Sequence, residues 1–343
     1  MKKIWMILML GVMLGACSDD SEQTFDVLQL SEVTRAASDI INAGEDHSPI
    51  QIFLMSGTAK TEGNFVYNPD AKTWSSTIGV KETDNYIYGF SPSDAAAGTI
   101  SPIVSGATDY SGGAVMTLDN LSAVGGDDLC VVVGVKGATA EETVTPAFGA
   151  FGFTKQGASN YVSLLLDHLY AAIEFKIKIG TKYNELRDIC LKKMELQSAK
   201  TVSKAIVTLT ANTTGANPIT DVSYTSTNEP QTNMVYDYGT DANTTTGLLL
   251  TTGGTSFVSY CAPMTDMKLS NLKLICTYDV YNKKDTKVRE NCVAENSLAG
   301  LSGLTIARGA KSVINLTVEP TYLYQLSEDE LDNPGIKVSV SGN

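Results

Sequence analysis

The chain has 343 residues, 43% of them hydrophobic and only 18% charged, and its 25 Lys and Arg against 38 Asp and Glu give a net charge of −13. At a usual ~100–200 residues per domain, this length predicts two domains. The sparse charge excludes a disordered tail or a helix laced with ion pairs. A phosphate-binding surface needs the opposite sign, so no nucleic-acid partner is expected.

The first segment reads as a targeting signal. Lys2 and Lys3 precede an apolar run from Ile4 to Leu14, followed by small residues ending at Cys17. A membrane-spanning helix needs ~20 apolar residues, and this run has about half that. Leu14-Gly15-Ala16-Cys17 resembles a bacterial lipobox, in which Cys17 is acylated and becomes the first residue. Residues 1–16 are then the signal peptide, and 17–35 an acidic leader beginning Ser18-Asp19-Asp20-Ser21-Glu22. Acyl chains of this kind anchor stably, at ~0.8 kcal/mol per buried CH₂. The leader contains a strand-like run, Phe25 to Leu30, and one basic residue before Lys60, which is Arg35.

Period-two alternation dominates the rest. Ala172–Ile179 puts Ile173, Phe175, Ile177 and Ile179 on one face, and Leu272–Val280 is built alike. Further strands are expected at Ile50–Met55, Tyr86–Phe90, Leu129–Val135, Tyr161–Leu166, Ala205–Leu209, Phe257–Ala262 and Lys311–Val318. Asp109–Gly113, Ala211–Asn217 and Tyr238–Gly247 have turn and loop chemistry. Tyr183–Lys193 is the best helix candidate. These signals predict an all-β chain of two antiparallel β-sandwich domains in tandem, at 36–163 and 164–343.

Chemistry-bearing constellations are missing. His47 and His168 are isolated in sequence, with no Gly-x-Ser-x-Gly elbow and no nucleotide-binding glycine pattern. His168 is expected to be structural, and Asp119, Asp127 and Asp128 to be solvated turn residues. Beyond Cys17, the cysteines Cys130, Cys190, Cys261, Cys276 and Cys292 form no Cys-x-x-Cys pair. Cys130 and Cys276, in strand-like runs, read as small buried hydrophobes, and one disulfide stays open. No enzyme, cofactor or metal site is expected.

The run Val313-Ile-Asn-Leu-Thr-Val-Glu-Pro-Thr-Tyr-Leu-Tyr-Gln-Leu-Ser-Glu-Asp-Glu-Leu-Asp-Asn-Pro334 resembles the C-terminal part of the fimbrillin family, the lipoprotein subunits of protease-assembled (type V) pili. Leu166-Asp-His-Leu-Tyr-Ala-Ala-Ile-Glu-Phe-Lys-Ile177 resembles that family's His-containing strand. The resemblance implies transthyretin-like Greek-key sandwiches and a structural fimbrial role in adhesion. It implies an outer-membrane lipoprotein at the cell surface, anchored through Cys17. It also implies an Arg-specific protease that cuts between Arg35 and Ala36, removing the first strand and opening a groove. An extended segment of another pilus subunit then fills the groove. Ile336, Val338 and Val340, alternating within 336–341, are the donor-strand candidate; the other reading is a last strand of their own domain. Partners are thus pilus subunits, the protease, the outer membrane and a host or bacterial surface ligand. The alternative from another class is a surface glycan-binding lipoprotein, for which Trp74 and the 15 Tyr are the aromatic material.

Overall fold

The protein was studied as a computed structural model, and the structure describes residues 26–36, 40, 47–81, 83–155, 160–240, 246–264, 268, 271–320 and 328–341. The expected signal peptide and Cys17 lie outside the described residues. Among the described residues no helix is long and apolar enough to cross a membrane. The chain is all-β; among the described residues its helical elements are a short segment at Glu328–Leu331 and 3₁₀ turns at Tyr183–Glu185 and Tyr238–Thr240.

Every strand expected from alternation is present. Ala171–Ile179 is the centre of a five-stranded sheet, between Thr255–Cys261 and Lys311–Glu319; Gly335–Val340 forms one edge. Its inward side chains, such as Phe175, Ile177, Ile314 and Leu316, pack against Ile189, Leu191, Met194 and Leu196 from Arg187–Ser198 and Leu274, Cys276 and Tyr278 from Leu272–Asn282. These last two strands are adjacent in a second sheet. Two sheets face to face each bury one side, which is why period-two patterning is clean here.

The other large sheet has eight strands: Gln29–Arg35, Tyr161–His168, Cys130–Ala138, Asp84–Ser91, Ile50–Ser56, Ala59–Asn68, Thr73–Ser75 and the short Gly152–Thr154, which pairs beside Asp84–Ser91. It curls until it nearly closes. Both of its faces are covered. Outward, Phe53, Tyr88, Phe90, Val131 and Val133 pack on Met116, Leu118, Val207 and Leu209 of a four-stranded sheet. Inward, Ile50, Ile52, Phe65, Val132, Leu164 and Leu166 fill the lumen. A strand buried on both faces reads as a continuous apolar run rather than an alternating one, as Leu129–Val135 does.

The expectation of purely antiparallel sheets needs correction: Gln29–Arg35 runs parallel to Tyr161–His168, and Ala171–Ile179 parallel to Lys311–Glu319. A parallel pair needs a long crossover connection, and short-range patterning carries no record of one. The expected boundary at 163/164 falls inside Tyr161–His168, and Thr201–Thr210 pairs with Gly113–Asp119 from the other half. The helix expected at Tyr183–Lys193 is also corrected. Only Tyr183–Glu185 turns, as 3₁₀, and Arg187–Ser198 is a strand. A register shift between Leu191 and Lys193 separates the buried Leu191 and Met194 by three residues instead of two, and that spacing imitates a helix.

Candidate functional site

The strand Gln29–Arg35, in the segment expected as a leader, ends the eight-stranded sheet. On one side Leu30 lies opposite Val162, Val33 opposite Leu164, and Arg35 opposite Leu166. Gln29 N–H donates to the Asn160 carbonyl at 2.9 Å, and Ala36 N–H to the Leu166 carbonyl at 2.7 Å. On the other side Leu28 N–H donates to the Ile78 carbonyl and the Ser76 hydroxyl donates to the Leu28 carbonyl, both at 2.8 Å. Val27 pairs with Gly79. Residues 26–36 are thus a stave whose main chain is bonded on one margin at 26–28 and on the other at 29–36. Leu28 and Leu30, at 0% and 4% exposure, point into the lumen beside Ile78, Val80, Val162 and Leu164.

The stave ends in a buried charge cluster. One Arg35 guanidinium nitrogen lies 3.0 Å from Asp128 Oδ2 and 2.7 Å from Cys130 Sγ. The other Asp128 oxygen is 2.9 Å from Nδ1 of His168. The side chains of Asp128 and His168 are 4% and 0% exposed, and that of Arg35 13%. The strand pairing dictates this meeting, because Cys130 is directly opposite His168, and Arg35 opposite Leu166, two residues earlier. Asp128, expected as a solvated turn residue, is instead buried and ion-paired. Nothing local marks it; the parallel strand Gln29–Arg35 carries a cation to it. Asp119, by contrast, is half exposed and pairs with Lys204 at 3.2 Å.

Asp128, Cys130 and His168 place a carboxylate oxygen, a thiol sulfur and an imidazole nitrogen within 4.8 Å of one another, a donor set suited to a borderline-soft metal ion. The Arg35 guanidinium occupies the cation's place in that set, so with the leader strand seated a metal and Arg35 exclude each other. Arg35 is also shielded from a protease here. Its backbone is tied into a ladder and its side chain into an ion pair, whereas a protease must take an extended, free segment.

The candidate donor residues Ile336, Val338 and Val340 form an edge strand antiparallel to Lys311–Glu319, with Val338 opposite Leu316. All three are half-buried against the core of their own sheets. The chain just before them is clasped by Arg187 to Asp332 at 2.6 Å, and by the Tyr183 and Tyr278 hydroxyls donating to the Leu331 and Pro334 carbonyls.

All five described cysteines are free thiols. Burial pushes the Cys261 and Cys276 thiols up to about 12, which makes them inert hydrophobes. Trp74 is half-buried at the lumen's margin. Tyr67 is edge-on to it at 5.3 Å, and His47 stacks on Tyr67 at 3.6 Å, so these rings cover one another rather than forming an open platform.

No protein-family model and no curated protein matches this chain. Solved structures do resemble it over nearly its whole length. A fimbrial protein from Bacteroides vulgatus ATCC 8482 shares 13% identity at a TM-score of 0.41, covering 92% of this chain and 99% of that one. A provisionally assigned cell adhesion protein from Bacteroides uniformis ATCC 8492 shares 12% at a TM-score of 0.42, covering 92% and 95%. Another such protein, from Bacteroides fragilis NCTC 9343, shares 10% at 0.40, covering 93% and 98%.

Proposed function

We propose that this chain is a structural subunit of an adhesive surface fibre, delivered as a lipoprotein through Cys17, matured by a cut after Arg35 and assembled by strand exchange. The carrying observation is the stave at residues 26–36. Among the described residues it is the part of the leader that completes a core, and it ends at the leader's single basic residue. Cutting between Arg35 and Ala36 takes five acidic side chains with the leader after Cys17 and leaves the protein acidic. It exposes the apolar lumen together with the unpaired margin of Tyr161–His168, a surface that a donated strand satisfies in main chain and side chain at once. Head-to-tail donation does not close on itself and gives a filament. Because Arg35 is enclosed, the cut waits on local opening of the stave's last residues.

The half-buried edge strand Gly335–Val340 is the segment of this chain we propose as donor, since it can leave its own sheet while Asp332 and Pro334 stay clasped. The experiment is expression of the wild-type protein and Arg35→Ala in a fibre-forming host, with intact-mass analysis of surface material. Wild type yields a chain beginning at Ala36 and filaments by electron microscopy; Arg35→Ala yields uncut lipoprotein and no filaments. A mature chain with any other first residue defeats the assignment.

A further inference from the structure

We propose that the groove left by the leader strand selects its occupant by charge: the partner segment carries a basic side chain at the place Arg35 vacates. This rests on the removable-strand reading above and names the partner's chemistry. The leader leaves two kinds of vacancy. The Leu28 and Leu30 places are apolar, lined by Ile78, Val80, Val162 and Leu164. At the other end Asp128 loses the guanidinium 3.0 Å from its Oδ2 while its side chain remains 4% exposed in the leader-bound form. A carboxylate desolvated to that degree is costly without a cation. His168 faces the other Asp128 oxygen, Oδ1, through Nδ1 at 2.9 Å, so it does not take the guanidinium's place at Oδ2. The occupant that restores the leader's interactions therefore supplies two alternating apolar residues and then a base.

The register makes this specific. Leu30 is opposite Val162 and Arg35 opposite Leu166, so a strand running parallel to Tyr161–His168 needs its base five residues after the second apolar side chain. One Arg35 guanidinium nitrogen reaches Asp128 and Cys130 together, so the seat takes a single cationic nitrogen, which arginine or lysine supplies. The chain's own edge strand meets only half of this description. Ile336 and Val338 provide the apolar pair, but the residue five beyond Val338 is the neutral Asn343, and Lys337 turns to the opposite face, where it pairs with Glu319 at 2.6 Å. A different subunit with a suitably placed base is thus the favoured occupant, and a second copy of this chain a weaker one.

The test uses the chain from Ser18, cut by trypsin under native conditions, with the cut after Arg35 verified by intact mass. Fluorescent peptides with the Phe25–Arg35 sequence, and with Gln, Glu or Lys in place of the arginine, are titrated by anisotropy. Losing one partner of a desolvated, hydrogen-bonded charge pair weakens binding by at least about 30-fold, so the Gln peptide binds that much less tightly than the Arg peptide, and Glu weaker still. Asp128→Asn removes the difference. Equal affinities for the Arg, Gln and Glu peptides on the native Asp128 protein overturn the inference while leaving the groove intact. Cut protein that binds none of the peptides overturns the removable-strand reading, and this inference with it. The peptide series requires no protein variant to fold.

Discussion

Two strands lie at sheet margins, and the molecule treats them oppositely. The strand Gln29–Arg35 is parallel to its neighbour and continues residues 26–28, which are bonded on the other margin; it is enclosed at Leu28 and Leu30 and locked by the Arg35–Asp128 pair. Gly335–Val340 is antiparallel, bonded on one margin, only half-buried at each apolar position, and held by a surface pair from Lys337 to Glu319. Both alternate in sequence. The difference shows that alternation states which face of a strand is apolar, while exchangeability depends on how completely that face is enclosed. On the proposed function, the enclosed strand is the one that needs a covalent cut to leave, and the half-buried terminal strand the one that peels from its edge.

The comparison breaks most visibly at Leu28 and Leu30. Replacing either with Ala removes a fully enclosed side chain and costs about 2–5 kcal/mol. Urea unfolding of the uncut protein, with Ile336→Ala as the terminal-strand counterpart, checks this. A larger loss at Ile336 than at Leu28 would reverse the ranking. The lock comes next. Arg35→Ala strands Asp128 and costs about 3–5 kcal/mol, whereas adding Asp128→Asn recovers much of that loss because the buried charge is then gone. A double-mutant cycle by thermal melting measures the coupling, and additive losses would show that the pair contributes little.

How legible this was follows from the same contrast. Where one face is buried, as in Ala171–Ile179 and Leu272–Asn282, the strand and its inward residues could be read directly from the chain. Ala59–Asn68, Ile219–Thr227 and Lys287–Ser297 gave no signal, because their side chains are mostly exposed and polar. Arg35 could be singled out as the leader's lone base. Its buried partner could not, because Asp128 is 93 residues away and meets it only through a parallel pairing whose crossover leaves no local pattern. The bulge in Arg187–Ser198 misled for the reason given above: one extra residue changes the period.

Truncation after Pro334 is the third and more moderate perturbation. Full burial of three β-branched side chains would contribute ~1.5–3 kcal/mol each. Ile336, Val338 and Val340 are only half-buried, so their loss lowers stability by about 2–4 kcal/mol, within a usual total of ~5–15 kcal/mol. The protein remains folded, with a lowered melting temperature, and the cut, truncated protein fails to form filaments alone. Filaments from truncated subunits would remove the terminal strand from assembly, and a truncated chain that does not fold would make it an indispensable part of its own core.

The smallest effect sharpens the comparison most finely. Lys337 and Glu319 make the terminal strand's counterpart of the Arg35–Asp128 pair, at a similar separation of 2.6 Å. The Lys337 side chain is 59% exposed, however, against 13% for Arg35. Water and salt screen the exposed pair, and holding a long lysine in place costs rotamer entropy, so exposed pairs of this kind contribute about 0.2–1 kcal/mol. Lys337→Ala should therefore change stability by at most about 1 kcal/mol, and the change should shrink further as salt rises toward 1 M, where the screening length is ~3 Å. The Arg35→Ala loss should persist under the same salt, because its carboxylate partner is enclosed. Parallel melts of the two variants across a salt series decide the point. Equal salt sensitivity would mean that the two locks share one environment, and the distinction between an enclosed strand and a peelable one would fail.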